Sequence, residues 1–244
     1  RAHPAQKVVD EMELCQKMGI KEIFIYDDTF GVDRQRVLDI CSEIKKRKVD
    51  IAWDIRTRVN TVDEEVLNAL KNAGCQRIHY GIEAGTQKIL NVLRKGITLD
   101  QVRKAFYLTR KIGIQTLGYF MIGSPTETKE DILETIKLAK EIKPDFAHFA
   151  ITTPYPATDL YRLGLKNGIL PYDYWKEFAE NPTKDFEPFV WEEILSKAEL
   201  NTLLKKAYRS FYWRPEYILK TLKNVRSFGE LFRKAGAGLR VLKI

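Results

Sequence analysis

Ile78-His79-Tyr80-Gly81-Ile82-Glu83-Ala84-Gly85 and Leu117-Gly118-Tyr119-Phe120-Met121-Ile122-Gly123-Ser124-Pro125-Thr126-Glu127-Thr128 are two short apolar runs that each close in glycine and polar residues. In parallel βα architectures ligands bind beyond the carboxyl ends of the strands. Glu83-Ala84-Gly85 and the segment from Gly123 to Thr128 therefore read as parts of a site and not as packing.

Outward from these runs the chain alternates. Pro4 to Met18 carries Val8, Val9, Met12 and Leu14 among charged residues and stops at Gly19, the pattern of a helix closed by glycine. Glu22 to Tyr26 is a β-branched and aromatic strand, Asp33 opens a helix to about Lys48, and Ile51 to Ile55 is the next strand. A helix from Asp63 to near Gly74, a strand over Arg77 to Ile82, a helix over Leu99 to Ile112 and a strand over Gln115 to Ile122 follow. Lys129 to Ile142 is then helix and Phe146 to Thr152 strand. Five alternations with short connections predict parallel strands joined by right-handed crossovers. The pattern alone leaves open whether the sheet closes into a barrel. Past Pro154 only helices are predicted, at Asp159 to Lys166, Tyr172 to Phe178, Glu192 to Tyr212, Pro215 to Asn224 and Phe228 to Arg240. A boundary near Pro156 thus separates a βα portion, 1–156, from a helical extension, 157–244.

Side-chain alternation assigns faces to the strands. Ile51, Trp53 and Ile55 share one face, with Ala52, Asp54, Arg56 and Arg58 on the other; Ile78, Tyr80 and Ile82 lie opposite Arg77, His79, Gly81 and Glu83. The apolar faces suit the helices. The polar faces then hold charges that are costly to bury unless they are paired or meet a ligand. They form either a polar-lined cavity or an internal ion-pair network.

Composition narrows the function classes. At 244 residues and 44% hydrophobic content the chain is long enough for a large core. No apolar run is long enough to span a bilayer and residues 1–20 lack a signal-peptide layout, so the sequence reads as soluble and cytoplasmic. Cys15, Cys41 and Cys75, like His3, His79 and His148, are too scattered for a disulfide framework, a zinc site or a redox pair; no metal ligand and no catalytic residue is assigned. Dinucleotide, P-loop, zinc-protease and nucleophile-elbow signatures are absent, so Ser124 is not read as a nucleophile. Asp27 and Asp28 suit a hard cation, a turn cap or a ligand hydrogen bond. From Asn201 to Ile244 there are eleven Lys and Arg against Glu216 and Glu230, so the whole basic excess of the chain, +8, lies in the tail. This fits either an acidic or phosphate-bearing partner or a solvated helix face.

His79 to Thr86, Leu93-Arg94-Lys95-Gly96-Ile97-Thr98, Gly118 to Thr128 and Thr153-Pro154-Tyr155-Pro156-Ala157-Thr158, in this order, resemble the core of radical S-adenosylmethionine (SAM) enzymes, closest to the branch with an amino-terminal cobalamin-binding domain. Tyr26 to Phe30 and Ala207 to Pro215 also resemble that branch. The resemblance covers nearly the whole chain and implies a partial (β/α)6 TIM-like barrel of parallel strands, the first strand missing, followed by the helical extension. The CxxxCxxC loop that binds the family's [4Fe-4S] cluster is absent. On this reading the chain is a carboxyl-terminal part of a longer enzyme, inactive by itself, whose cluster and cobalamin are held by residues outside it.

The resemblance also implies roles. Glu83 would contact the SAM ribose or methionyl group, and Arg56 or Arg58 the SAM carboxylate, which suits a planar guanidinium fork. Gly118 with Ile122, Gly123 and Ser124 would bring backbone to the adenine, bordered by Thr152 and Tyr155. Asp27 and Asp28 stand near the place of the SAM amino group. Ala157 occupies a position where that segment usually has Gly. The implied chemistry is reductive SAM cleavage to a 5′-deoxyadenosyl radical, with cobalamin-dependent methyl transfer or related C–H chemistry on a small-molecule or lipid-like substrate, and an external electron donor such as ferredoxin or flavodoxin. RNA modification is a second enzyme reading; a non-catalytic binding scaffold is the alternative of another class. An unpaired strand edge at Ile23 to Tyr26 implies self-association of the isolated chain.

Overall fold

The structure, a computed structural model, describes residues 2–223 and Gly229. Five strands, β1 (Glu22–Ile25), β2 (Ala52–Thr57), β3 (Cys75–Glu83), β4 (Gln115–Ile122) and β5 (Phe146–Ile151), form one parallel sheet in the order β1-β2-β3-β4-β5. Sequential order without reversal is the winding of a TIM-like barrel; a doubly wound sheet would reverse direction at a switch point. β2 pairs in parallel with β1, Ile23 opposite Trp53, and with β3, Arg56 opposite His79, with one register shift at Trp53/Asp54.

The helices are α1 (Ala5–Lys17), α2 (Arg34–Arg47), α3 (Glu64–Asn72), α4 (Gln87–Val92), α5 (Leu99–Ile112), α6 (Lys129–Ile142), α7 (Asp159–Lys166), α8 (Tyr174–Glu180), α9 (Lys197–Tyr212) and α10 (Pro215–Lys223). Side-chain caps set most of their starts. Asp33, Asp63, Thr86, Thr98, Thr158, Asp173 and Ser196 each accept a backbone N–H of the first turn, with Gln101 and Glu199 completing capping boxes. Two predicted starts shift for this reason. The helix expected from Glu192 begins at Lys197 because Ser196 takes the cap, and the one expected from Tyr172 begins at Tyr174 behind Asp173. Helix α4 was not predicted; six residues are too few for a periodic signal. The predicted helix from Phe228 to Arg240 lies outside the described residues.

The chain divides into two compact units. Unit 1 comprises residues 1–82, 96–119 and 139–148. Here α1 packs on α2, α2 on α3 and α3 on α5. Trp53, Ile55, Ile78 and Tyr80 are fully buried, as their face of the strands requires. Trp53 Nε1 donates to the Ala73 carbonyl (2.7 Å) and the Tyr80 hydroxyl pairs with Thr109 Oγ1 (2.8 Å), so neither buried polar tip is stranded. Cys41 and Cys75 are buried free thiols, and Cys15 is half-buried.

Unit 2 comprises residues 83–95, 120–138 and 149–244. Helix α6 approaches the Ala84-Gly85 turn so closely that a Cβ on Gly85 would lie 2.3 Å from the Thr135 Cα; the Gly85 N–H donates to Thr135 Oγ1 at 2.8 Å. Helix α9 docks on β5, where the Tyr208 hydroxyl accepts from Phe149 N–H (3.2 Å) and donates to the Phe149 carbonyl (2.9 Å). Tyr161, Leu170 and Tyr174 make a second small core with Trp175, Phe186 and Phe189. Ala157 takes the left-handed conformation (φ 63°) that a glycine would adopt without strain.

Candidate active site at the strand ends

Unit 2 holds Glu83, Ile122, Gly123, Ser124, Thr152 and Tyr155, and it joins most of them. Glu83 closes β3 at φ 77°, a conformation costly for a residue with a Cβ. Its Oε1 accepts from Lys95 Nζ at 2.7 Å, both side chains being less than one-fifth exposed. Lys95 lies in the segment Leu93 to Thr98, just after α4, so this short helix carries the cation back to the strand end.

Beyond β4 the backbone turns at Gly123, φ 76°, where a Cβ would meet the Leu200 side chain at 2.8 Å. Ser124 is buried; its N–H donates to Glu127 Oε2 (2.8 Å) and its hydroxyl pairs with Thr152 Oγ1 (3.2 Å). Thr152, also buried, donates its N–H to the Ile122 carbonyl (2.8 Å) and accepts from Trp191 N–H (3.0 Å). Ser124, Glu127 and Thr152 thus form one hydrogen-bonded knot at the ends of β4 and β5. Tyr155, in contrast, is exposed, with its ring beside Trp175. Ile122 is fully buried and its carbonyl is taken by the Thr152 N–H, so in this structure it offers no open group to a ligand.

Glu127 is the residue that assignment from sequence left out. It is 1% exposed, its Oε1 has no hydrogen-bond partner, and burial pushes its carboxyl up to about 7 against the pull of the Ser124 and Gly123 N–H groups. The signal was present: an acidic residue three positions after Ser124, in a turn too tight to leave its backbone N–H groups unsatisfied. Lys88 of α4 braces the same turn, donating to the Thr126 carbonyl (3.2 Å) and pairing with Asp131 (2.7 Å).

Unit 1 holds Asp27, Asp28, Arg56, Arg58 and Gly118. Asp27 and Asp28 follow β1; Asp27 faces Arg36 across 3.8 Å and Asp28 is exposed. Among the described residues no group of three or more His, Cys, Asp or Glu could hold a metal ion. Arg56 lies 4.0 Å over the Tyr26 ring and 5.3 Å from that of Phe24. Arg58 Nε donates to Asn60 Oδ1 (3.2 Å). Gly118 is buried on the same face of β4 as Phe120, opposite Tyr119. The polar faces of β2 and β3 carry the expected charges. Asp54 Oδ2 forms an ion pair with Arg77 across 3.2 Å and lies 3.7 Å from His79 Nε2, while His79 Nδ1 is 3.2 Å from the Tyr119 hydroxyl. This ion-pair network is incomplete: Asp54 Oδ1, Arg56 Nε, Arg77 Nε and His79 Nε2 are buried without hydrogen-bond partners. Open valences of this kind suit a bound polar group.

The sequence signature of the radical SAM superfamily matches residues 1–139. An uncharacterized methyltransferase of Pyrococcus horikoshii is 37% identical over 241 residues, 98% of this chain and 51% of that relative. An anaerobic magnesium-protoporphyrin IX monomethyl ester cyclase of Rubrivivax gelatinosus is 30% identical over 222 residues, 89% of this chain and 39% of that relative. The chain therefore spans about half or less of the length of these curated relatives. Among solved structures, the radical SAM methyltransferase TsrM of Kitasatospora setae, with cobalamin and a [4Fe-4S] cluster bound, matches 69% of this chain and 35% of its own with a TM-score of 0.62 at 22% identity. Coproporphyrinogen III oxidase of Escherichia coli, a radical SAM enzyme, matches 86% of this chain and 45% of its own at 0.59 and 15% identity. These structural likenesses speak to the fold, and they agree with the sequential parallel sheet. With the family signature covering more than half of its residues, the chain belongs to the radical SAM superfamily.

Proposed function

We propose that this chain is the SAM-positioning part of a longer radical SAM enzyme that transfers a methyl group, or carries out related C–H chemistry, on a small-molecule or lipid-like substrate with cobalamin, in the cytoplasm, with electrons from an external donor such as ferredoxin or flavodoxin. The observation that carries the reading is the set of strand-end groups in unit 2: a carboxylate braced by Lys95, a glycine turn held by buried Glu127, and the Ser124–Thr152 hydroxyl pair. These suit SAM, which offers ribose hydroxyls, a cationic methionyl amine and an adenine edge that hydrogen-bonds to backbone. Bound SAM supplies the radical and methyl chemistry. Glu83 holds a hydroxyl or the amine, and the Gly123-Ser124 turn, its N–H groups engaged by Glu127, keeps the β4 end in a fixed shape beneath the adenine. In unit 1, Arg56 retains a buried donor suited to a carboxylate.

The described residues do not fit an iron–sulfur cluster. Cys41 and Cys75 are buried singly, with thiols pushed upward by desolvation, Cys41 to about 12. The cluster and cobalamin therefore belong, on this reading, to residues outside this chain. The test is titration calorimetry with S-adenosylhomocysteine on the wild-type chain, Glu83→Ala and Glu83→Gly. Glycine relieves the positive φ, so Glu83→Gly is expected to be more stable than Glu83→Ala by about 1 kcal/mol, while both bind at least about tenfold more weakly than wild type. Undiminished binding by a folded Glu83→Gly chain removes Glu83 from the site.

A further inference from the structure

The geometry points to a second function, independent of the strand-end reading: α10 and the basic tail dock this protein on an anionic lipid surface. Helix α10 has no buried residue. Ile218, Leu219 and Leu222 are 40%, 58% and 52% exposed, and Trp213, just before the helix, is 47% exposed. Positions 218, 219 and 222 fall within about a 100° arc of a helix, so the three branched side chains form one apolar stripe. Tyr217 points elsewhere, its ring 5.5 Å from Phe211 and 5.1 Å from Tyr212. Lys223 and Lys220 both follow the Leu219 edge of the stripe, about 40° and 100° beyond it, with Glu216, the single acidic residue of the helix, between them.

Charge selects the occupant. Beyond α10 the sequence adds Arg226, Arg233, Lys234, Arg240 and Lys243 against Glu230 alone, interleaved with Phe228, Leu231 and Phe232. An apolar stripe with cations beyond one edge, followed by a basic sequence, suits a helix that lies in a membrane interface. No helix among the described residues is long and apolar enough to cross a membrane. A single-stranded nucleic acid would need open aromatic rings to stack on. Among the described residues of this region Trp213 alone offers an exposed ring, whereas Tyr208 is bonded to the Phe149 backbone and Phe211, Tyr212 and Tyr217 pack on one another. What α10 leaves exposed is aliphatic, which suits acyl chains and not bases.

Co-sedimentation of the chain with vesicles of phosphatidylglycerol mixed with phosphatidylcholine, and with vesicles of phosphatidylcholine alone, tests the proposal. The wild-type chain is expected to bind the anionic vesicles at least about tenfold more tightly than the neutral ones, and less tightly as salt is raised. The doubly substituted chain Leu219→Glu, Leu222→Glu should lose this binding at least about tenfold; because both positions are exposed, its circular dichroism and melting should match wild type. A Trp213→Phe chain should lose the blue shift of tryptophan fluorescence that vesicles induce. The proposal is overturned by equal or absent binding to the two compositions, by anionic binding that survives the double substitution, or by a lipid-free oligomer that the same substitution dissolves, which would make the stripe an interface between copies. RNA binding retained by the substituted chain, with vesicle binding absent in the wild type, would overturn it in favour of a nucleic-acid role for the tail.

Discussion

Glu127 shows how one buried side chain can hold a turn while one of its own oxygens stays without a hydrogen-bond partner. Its carboxylate closes the Gly123-Ser124 turn by accepting the Ser124 N–H, yet its other oxygen has no partner and its burial opposes ionisation. A carboxyl raised from about 4.5 to about 7 binds a proton in the folded state that the unfolded chain has already released across that interval. Stability from this group is therefore fully present below about pH 4.5 and is lost as pH rises toward 7. Glu127→Gln keeps the shape and removes the titration. Measured by urea unfolding from pH 4.5 to 8, the stability of Glu127→Gln relative to wild type should rise by roughly 3 kcal/mol, with most of the change before pH 7. Parallel profiles would mean that the carboxyl is not held neutral by burial. At this scale the sequence was half legible: Glu83 and Ser124 stood out at strand ends, but the weight on Glu127 and Lys95 comes from burial and a salt bridge across twelve positions, which spacing alone does not reveal.

The elements were read more completely because their signals are local. The helices Leu99–Ile112 and Lys129–Ile142 and the strand Gln115–Ile122 fall where periodicity and caps put them. The alternation that assigned Trp53 and Tyr80 to the buried face and Asp54 and His79 to the polar face is borne out by their packing. Misses occurred where capping competed with pattern, at Ser196 and Asp173, and where an element is too short to show a period, as in α4. Gly85 is the clearest link between element and site, because α6 reaches the end of β3 only if residue 85 lacks a Cβ. Gly85→Ala sets a carbon against the α6 backbone, which cannot rotate away as a side chain could. A loss of about 1–3 kcal/mol by urea unfolding is expected, with S-adenosylhomocysteine affinity falling as the β3 turn shifts. An unchanged midpoint would mean that α6 is free to move outward at little cost.

At the scale of the molecule, the sheet order, the scattered cysteines and the charge distribution converge on a division of labour. On the proposed reading the βα elements present strand-end groups that suit SAM, whereas among the described residues no group of three or more His, Cys, Asp or Glu could hold a metal ion. Thiolate is the form that ligates iron, and desolvation keeps Cys41 and Cys75 protonated at neutral pH. Chemical reconstitution of this chain with iron and sulfide under anaerobic conditions should therefore leave no four-iron signal in electron paramagnetic resonance after reduction. A longer protein that contains this chain together with a CxxxCxxC segment should give such a signal, perturbed when SAM is added. A perturbed signal in the longer protein, combined with weakened S-adenosylhomocysteine binding by Glu83→Gly, would tie the strand-end groups described here to the chemistry of the family. A cluster assembled on this chain alone would contradict the burial of its thiols, and a longer protein that folds without a cluster would leave these strand ends as a binding scaffold without radical chemistry.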